Sequence, residues 1–166
     1  MRRLRLPALA LLFLAPALHV LAAGPILKLV GPDKTLTFTA EEFAALPHTE
    51  LRLAGQADKA AQTYAGVAMR ELLARAGAPL GDKLRGPALL ASVIVRCKDN
   101  YAVLFSLAEF DENFSSRLIL LADREEGEIL PPSAAPLRLV LPGDKRGARS
   151  AKQVASIEIV VPAPKP

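Results

Sequence analysis

Pro136-Leu137-Arg138-Leu139-Val140-Leu141-Pro142-Gly143-Asp144-Lys145-Arg146-Gly147-Ala148-Arg149-Ser150-Ala151-Lys152, followed by Ser156-Ile157-Glu158-Ile159-Val160-Val161, is the stretch that decides how this chain is read. Leu137 to Leu141 and Ser156 to Val161 carry the apolar and β-branched residues of strands. Between them, Gly143 to Gly147 is a glycine- and charge-rich loop. Backbone N–H groups beside glycine, with Arg and Lys close by, are what an anion or phosphate site needs. A solvated hairpin loop has the same composition. The residues alone leave both readings open.

Upstream, Arg117 to Leu121 reads as a strand, and so does Leu89 to Cys97, with Val93, Val95 and Cys97 on one face. Asp99-Asn100 turns the chain into Tyr101 to Phe105, and Ser106 with Glu109 has the spacing of a capping box ahead of a short helix. Val67 to Ala76 is predicted as a helix: Met69, Leu72, Leu73 and Ala76 share a face, Glu71 and Arg75 pair at i, i+4, and Gly77 ends it. Pro79 to Pro87 and the polar, Ala-rich Gln56 to Ala65 read as loops. Ile26 to Val30, Leu36 to Thr39 and Glu50 to Ala54 read as strands. Thr39 and Glu42 cap a short helix through Phe43 and Leu46, ended by Pro47. Strands broken by short helices, without regular β-α alternation, predict a single α+β domain on a mixed sheet, with irregular loops.

Residues 1–23 have the order of a secretory signal: Arg2, Arg3 and Arg5, an apolar run from Leu6 to Val20, then Ala22 and Ala23. The expected organisation is a signal at 1–23, a domain at 24–161 and a frayed, proline-rich tail at 162–166. The expected location is periplasmic or secreted, with no membrane insertion after cleavage. The whole chain has 21 basic and 17 acidic residues; removing the three signal arginines leaves 18 against 17. So nearly neutral a domain has no electrostatic footprint for nucleic acid. Cys97 is the only cysteine, which excludes an intramolecular disulfide, and His48 is the only histidine beyond the signal, which argues against a structural zinc. No phosphate-loop or dinucleotide glycine pattern is present, so no nucleotide is expected. His48 beside Pro47 reads as an exposed junction residue, Cys97 as a small core hydrophobe, and the acidic pairs Glu41-Glu42, Asp111-Glu112 and Glu125-Glu126 as solvated charge.

Pro136 to Gly143, Gly147 to Lys152 and Ile157-Glu158-Ile159 together resemble the closing signature of the sulfite-oxidase-type molybdopterin-binding domain. Tyr64-Ala65-Gly66-Val67 leading into Leu72-Leu73 and Ala76-Gly77 is similar to the same family's helix region, and Asp99-Asn100-Tyr101 to its Asp-Gly-Tyr turn. The resemblance implies a mixed α+β fold and a molybdopterin cofactor. It assigns the pterin and its phosphate to Arg149, Ser150 and Lys152, and the substrate pocket to Tyr101.

One departure bears on activity. Catalytic members ligate molybdenum through a cysteine in a Leu-x-Cys-Ala-Gly-like stretch, and here Leu51-Arg52-Leu53-Ala54-Gly55 puts Leu53 at that position. A leucine has no lone pair to give a soft metal. Cys97 is the one thiol that could stand in. Arg2-Arg3 is an arginine pair, but Arg5 falls where a twin-arginine export motif favours a bulky apolar residue. The expectation is therefore a domain that binds molybdopterin or a similar small anionic ligand, with oxo transfer in doubt and no catalytic residue assigned. The alternative is a non-catalytic ligand-binding, sensing or partner module for another periplasmic or membrane protein.

Overall fold

Leu27 and Leu29 are buried while Lys28 between them is exposed, and this two-residue period makes Leu27–Val30 the first strand, β1. The computed structural model describes residues 24–54 and 60–162. The expected signal, the start of the expected loop at residues 55–59 and the end of the expected tail lie outside them. After β1 come β2 (Thr35–Phe38), α1 (Ala40–Ala44), β3 (Thr49–Leu53), β4 (Gln62–Ala68) and α2 (Met69–Arg75). The chain continues with β5 (Ser92–Cys97), β6 (Ala102–Ser106), β7 (Leu120–Glu125), β8 (Glu128–Ile129), β9 (Arg138–Val140) and β10 (Val154–Val160). Short 3-10 turns cover Gly81–Lys83, Gly86–Leu90, Leu107–Phe110 and Gly147–Arg149.

The α+β class holds, and its strands divide between two sheets. One runs β2-β1-β10-β5-β6, with β1 parallel to β10 and its other neighbours antiparallel. The second runs β3-β4-β7-β8, and β9 also pairs with β7. Because β4 occupies one edge of β7, β8 and β9 share the other. The main core gathers Leu29, Val93, Val95, Phe105 and Ile157 from the first sheet, Val67, Leu121 and Leu139 from the second, and Met69, Leu72 and Leu73 from α2. A smaller apolar cluster of Tyr64, Leu120, Ala122, Leu130, Ala134 and Val140 covers the opposite face of the second sheet.

Local signals set several boundaries. Thr39 N donates to Glu42 Oε2 (2.8 Å) and Thr39 Oγ1 accepts from Glu42 N (3.2 Å), so the expected capping box opens α1. Ser106 N likewise donates to Glu109 Oε1. The Glu71–Arg75 pair closes at 2.7 Å on α2, and Gly77 ends that helix with φ +88°.

Other boundaries differ from expectation. Val67 and Ala68 belong to β4 rather than to the helix, because they pair with Leu121 and Leu120. The segment expected as a loop up to Ala65 is strand from Gln62, with Tyr64 buried; neighbours on both edges override a weak local pattern. Asp111 is not solvated. It is fully buried, its Oδ2 accepting from Gly81 N (2.6 Å) and its Oδ1 from Asn113 N (2.9 Å), and it ties the turn after β6 to the loop after α2.

β4 and β7 slip register between Ala65 and Gly66, which leaves Asp123 as the extra residue of a bulge in β7. Its Oδ1 lies 3.1 Å from His48 Nε2, while His48 Nδ1 lies 2.7 Å from the Leu46 carbonyl. His48 thus staples the turn after α1 to the second sheet.

Candidate anion-binding cleft

Strand alternation builds the cleft. In β9, Leu139 faces the main core, so Arg138 and Val140 must face the other way, toward the smaller cluster. In β3 and β4, Leu51 pairs with Tyr64 and Leu53 with Gln62, which brings Leu53, Gln62 and Tyr64 to that same face. The segment from Leu141 to Gly147 folds over it. The result is a cavity of about 720 Å³ whose lining includes Arg52, Leu53, Tyr64, Arg138, Asp144 and Ser150. That is the size range of small-molecule sites, roughly 300–1,000 Å³. Among the described residues, Arg52, Arg138, Lys145 and Arg146 face it, against Asp144 alone among acids.

Tyr64 and Arg138 form the deep end. Arg138 Nη1 donates to the Tyr64 hydroxyl (2.7 Å), and its guanidinium carbon lies 4.8 Å from the Tyr64 ring centre. The hydroxyl's own proton goes to Gln62 Oε1 (2.9 Å) or Glu125 Oε1 (3.0 Å). Arg138 Nε is buried without an acceptor, a state that costs about 1–3 kcal/mol until one arrives.

Burial, opposed by Arg138 and reinforced by Glu125, pushes the Tyr64 hydroxyl up to about 12 from 10.0. Below pH 10 the proton is held in folded and unfolded chains alike. Between pH 10 and about 12 only the unfolded chain gives it up, so stability falls across that window, by up to about 2 kcal/mol. Urea denaturation of wild type and Tyr64→Phe at intervals through this window should show the alkaline loss shrinking in the variant; parallel curves would refute the shift.

The four residues expected from the sequence are placed unequally. Ser150 lines the cleft, and its Oγ accepts from Leu141 N (3.4 Å). Arg149 does not line it. Its Nε and Nη2 grip both oxygens of Asp144 (2.8 and 2.9 Å), its Nη1 reaches Glu109 (3.0 Å), and it lies over the Phe105 ring at 5.0 Å. Arg117 bridges the same two acids. Hydrogen bonding from Arg149, ahead of its charge and that of Arg117, holds the Asp144 carboxyl below the usual range. Tyr101 stands outside the lining, and its hydroxyl donates to the Ala148 carbonyl (2.8 Å), bracing the 3-10 turn. Lys152 is exposed and away from the cleft, with no bond among the described residues. Arg138 and Tyr64 were missed, although a charge inside the apolar run Leu137 to Leu141 signals a buried partner.

A family model, the oxidoreductase molybdopterin binding domain, matches residues 27–165. The chain belongs to that family. The molybdopterin-binding domain is also similar in fold to the sulfane dehydrogenase SoxCD from Paracoccus pantotrophus, with TM-score 0.62, 23% identity and 80% of this chain covered. It spans 37% of that chain. Comparison with curated proteins returned no match.

The family implies a molybdenum-pterin group, and the cleft fits it only in part. Its cations and the acceptor-less Arg138 Nε suit a pterin phosphate. The lining offers the metal no thiolate: Leu53 lines the cleft, no Cys or His is among its described lining residues, and no group of three or more His, Cys, Asp or Glu among the described residues could hold a metal. Cys97 is buried in the main core, its amide N donating to the Tyr101 carbonyl (2.8 Å). Burial and then Asp99 push its thiol up, away from the thiolate a metal needs.

Proposed function

We propose that this member of the molybdopterin-binding family is an exported domain that binds a pterin-type or similar organic anion and does not carry out oxo transfer. The observation that carries the reading is Leu53 standing in the cation-lined cleft, while the chain's only thiol sits in the core. Hydrocarbon replaces the soft donor, and the cations for an anionic ligand remain. Export is supported by the order of charge, apolar run and small residues in 1–23.

The test is to isolate the chain from the periplasmic fraction, measure molybdenum by elemental analysis, and titrate it with phosphate by calorimetry. The expected result is substoichiometric metal, saturable phosphate binding and a chain shortened at its N-terminus. Stoichiometric molybdenum would overturn the absence of turnover. A lack of phosphate binding would overturn the anion site.

A further inference from the structure

We propose that the anion is taken by Arg138, braced by Tyr64, rather than by Arg149, and that the ligand is an organic phosphate whose apolar body lies on Leu53, Leu141 and Pro142. The inference rests on the anion-binding reading above and names the residues and ligand class for that cleft.

Arg149 has three of its five N–H donors engaged by carboxylates. Its Nε, Nη1 and Nη2 all lie on carboxylate oxygens, and its charge is balanced within the cluster of Arg117, Glu109 and Asp144. An incoming anion would have to compete with two acids already in place. Arg149 is a positioning residue: through Asp144 it holds the loop that carries Lys145 and Arg146 to the cleft.

Arg138 is in the opposite state. Nη1 is fixed on Tyr64, the guanidinium rests against the Tyr64 ring, and Nε has no acceptor. Nη2 also has no partner among the described residues. The Nε–Nη2 edge is the one that takes two oxygens of a phosphate side by side. Its orientation is set before the ligand arrives, so little side-chain freedom is lost on binding. Arg52, Lys145 and Arg146 add positive charge around it, which favours a dianion over a monoanion.

Part of the wall is hydrocarbon. Leu53, Ala54, Leu141 and Pro142 line the cavity beside Arg138. Inorganic phosphate would leave that surface wet, whereas a phosphate ester with a flat apolar body would cover it. Leu53 thus has a positive part in the site besides the loss of a metal donor.

The experiment compares inorganic phosphate with phenyl phosphate by calorimetry on the signal-cleaved chain, with circular dichroism to confirm folding. Wild type should bind phenyl phosphate more tightly, by about fivefold or more. Arg138→Gln should weaken both probes by about tenfold or more. Arg149→Gln, which loosens the loop but removes no ligand donor, should weaken both probes clearly less than Arg138→Gln does while lowering the melting temperature. Leu53→Ala should leave inorganic phosphate unchanged and erase most of the preference for the phenyl ester. If Arg138→Gln does not fold, Arg138→Lys, which keeps the charge but lacks the fork, should show the same loss. Equal binding by wild type and a folded Arg138 variant, or a larger loss from Arg149→Gln, would overturn the assignment. Wild type binding neither probe would bring down the anion-binding reading as well.

Discussion

Gly66→Ala is expected to destabilise the domain by about 3 kcal/mol or more, lowering the melting temperature by roughly 10 °C. Gly66 lies where β4 meets β7 at the bulge, and a methyl group there would strike the Leu121 carbonyl and the Ala122 Cα. These are backbone atoms of a paired strand, so no side chain can swing aside. Relief requires β7 to move away, breaking ladder bonds on both sides and shifting Tyr64 relative to Arg138. Gly147→Ala is the control: a methyl group there meets nothing, and no left-handed backbone is involved. Thermal melts of the two variants should separate widely. Equal melting temperatures would mean that β4 and β7 do not approach this closely.

Phe105→Ala should cost about 3–5 kcal/mol, the range for removing a buried aromatic ring. Phe105 is fully buried, its ring packs edge-on against Phe110 at 5.4 Å, and Arg149 lies over its face. Its removal opens a cavity in the main core and takes the floor from under the Arg149–Asp144 grip. Urea unfolding should show a lower midpoint, and Phe105→Leu should recover much of the loss by refilling the volume. A loss of unfolding free energy below about 1 kcal/mol in the alanine variant would show that Phe105 is not the core element described.

Much of the fold was legible because the signals were local. The capping pairs Thr39–Glu42 and Ser106–Glu109, the Glu71–Arg75 pair and Gly77 lie within a few residues of each other, and each forms where expected. Tyr64 was hidden for the opposite reason. Its strand has few apolar residues at its start, and its burial comes from β3 on one edge and β7 on the other. Asp111 read as solvated because nothing in its neighbourhood in the chain announces the Gly81 amide 30 residues earlier.

The site was legible in kind but not in detail. The loop from Gly143 to Gly147 is rich in cations, and a cleft does form against it. Composition could not tell that Arg149 is bound to Asp144 while Arg138, inside an apolar strand, keeps an acceptor-less Nε. Both are arginines in the same 14-residue stretch, from 136 to 149.

The amino-acid order by itself determined the α+β class, the family signature and the want of a thiol at position 53, because these depend on residue type and short spacing. Tertiary structure alone decided which cations face the ligand. A guanidinium is neutralised or left open by acids that arrive from distant strands and loops. For Arg149 one of them is Glu109, forty residues away, and for Arg138 the neighbour is Tyr64, at a separation of seventy-four.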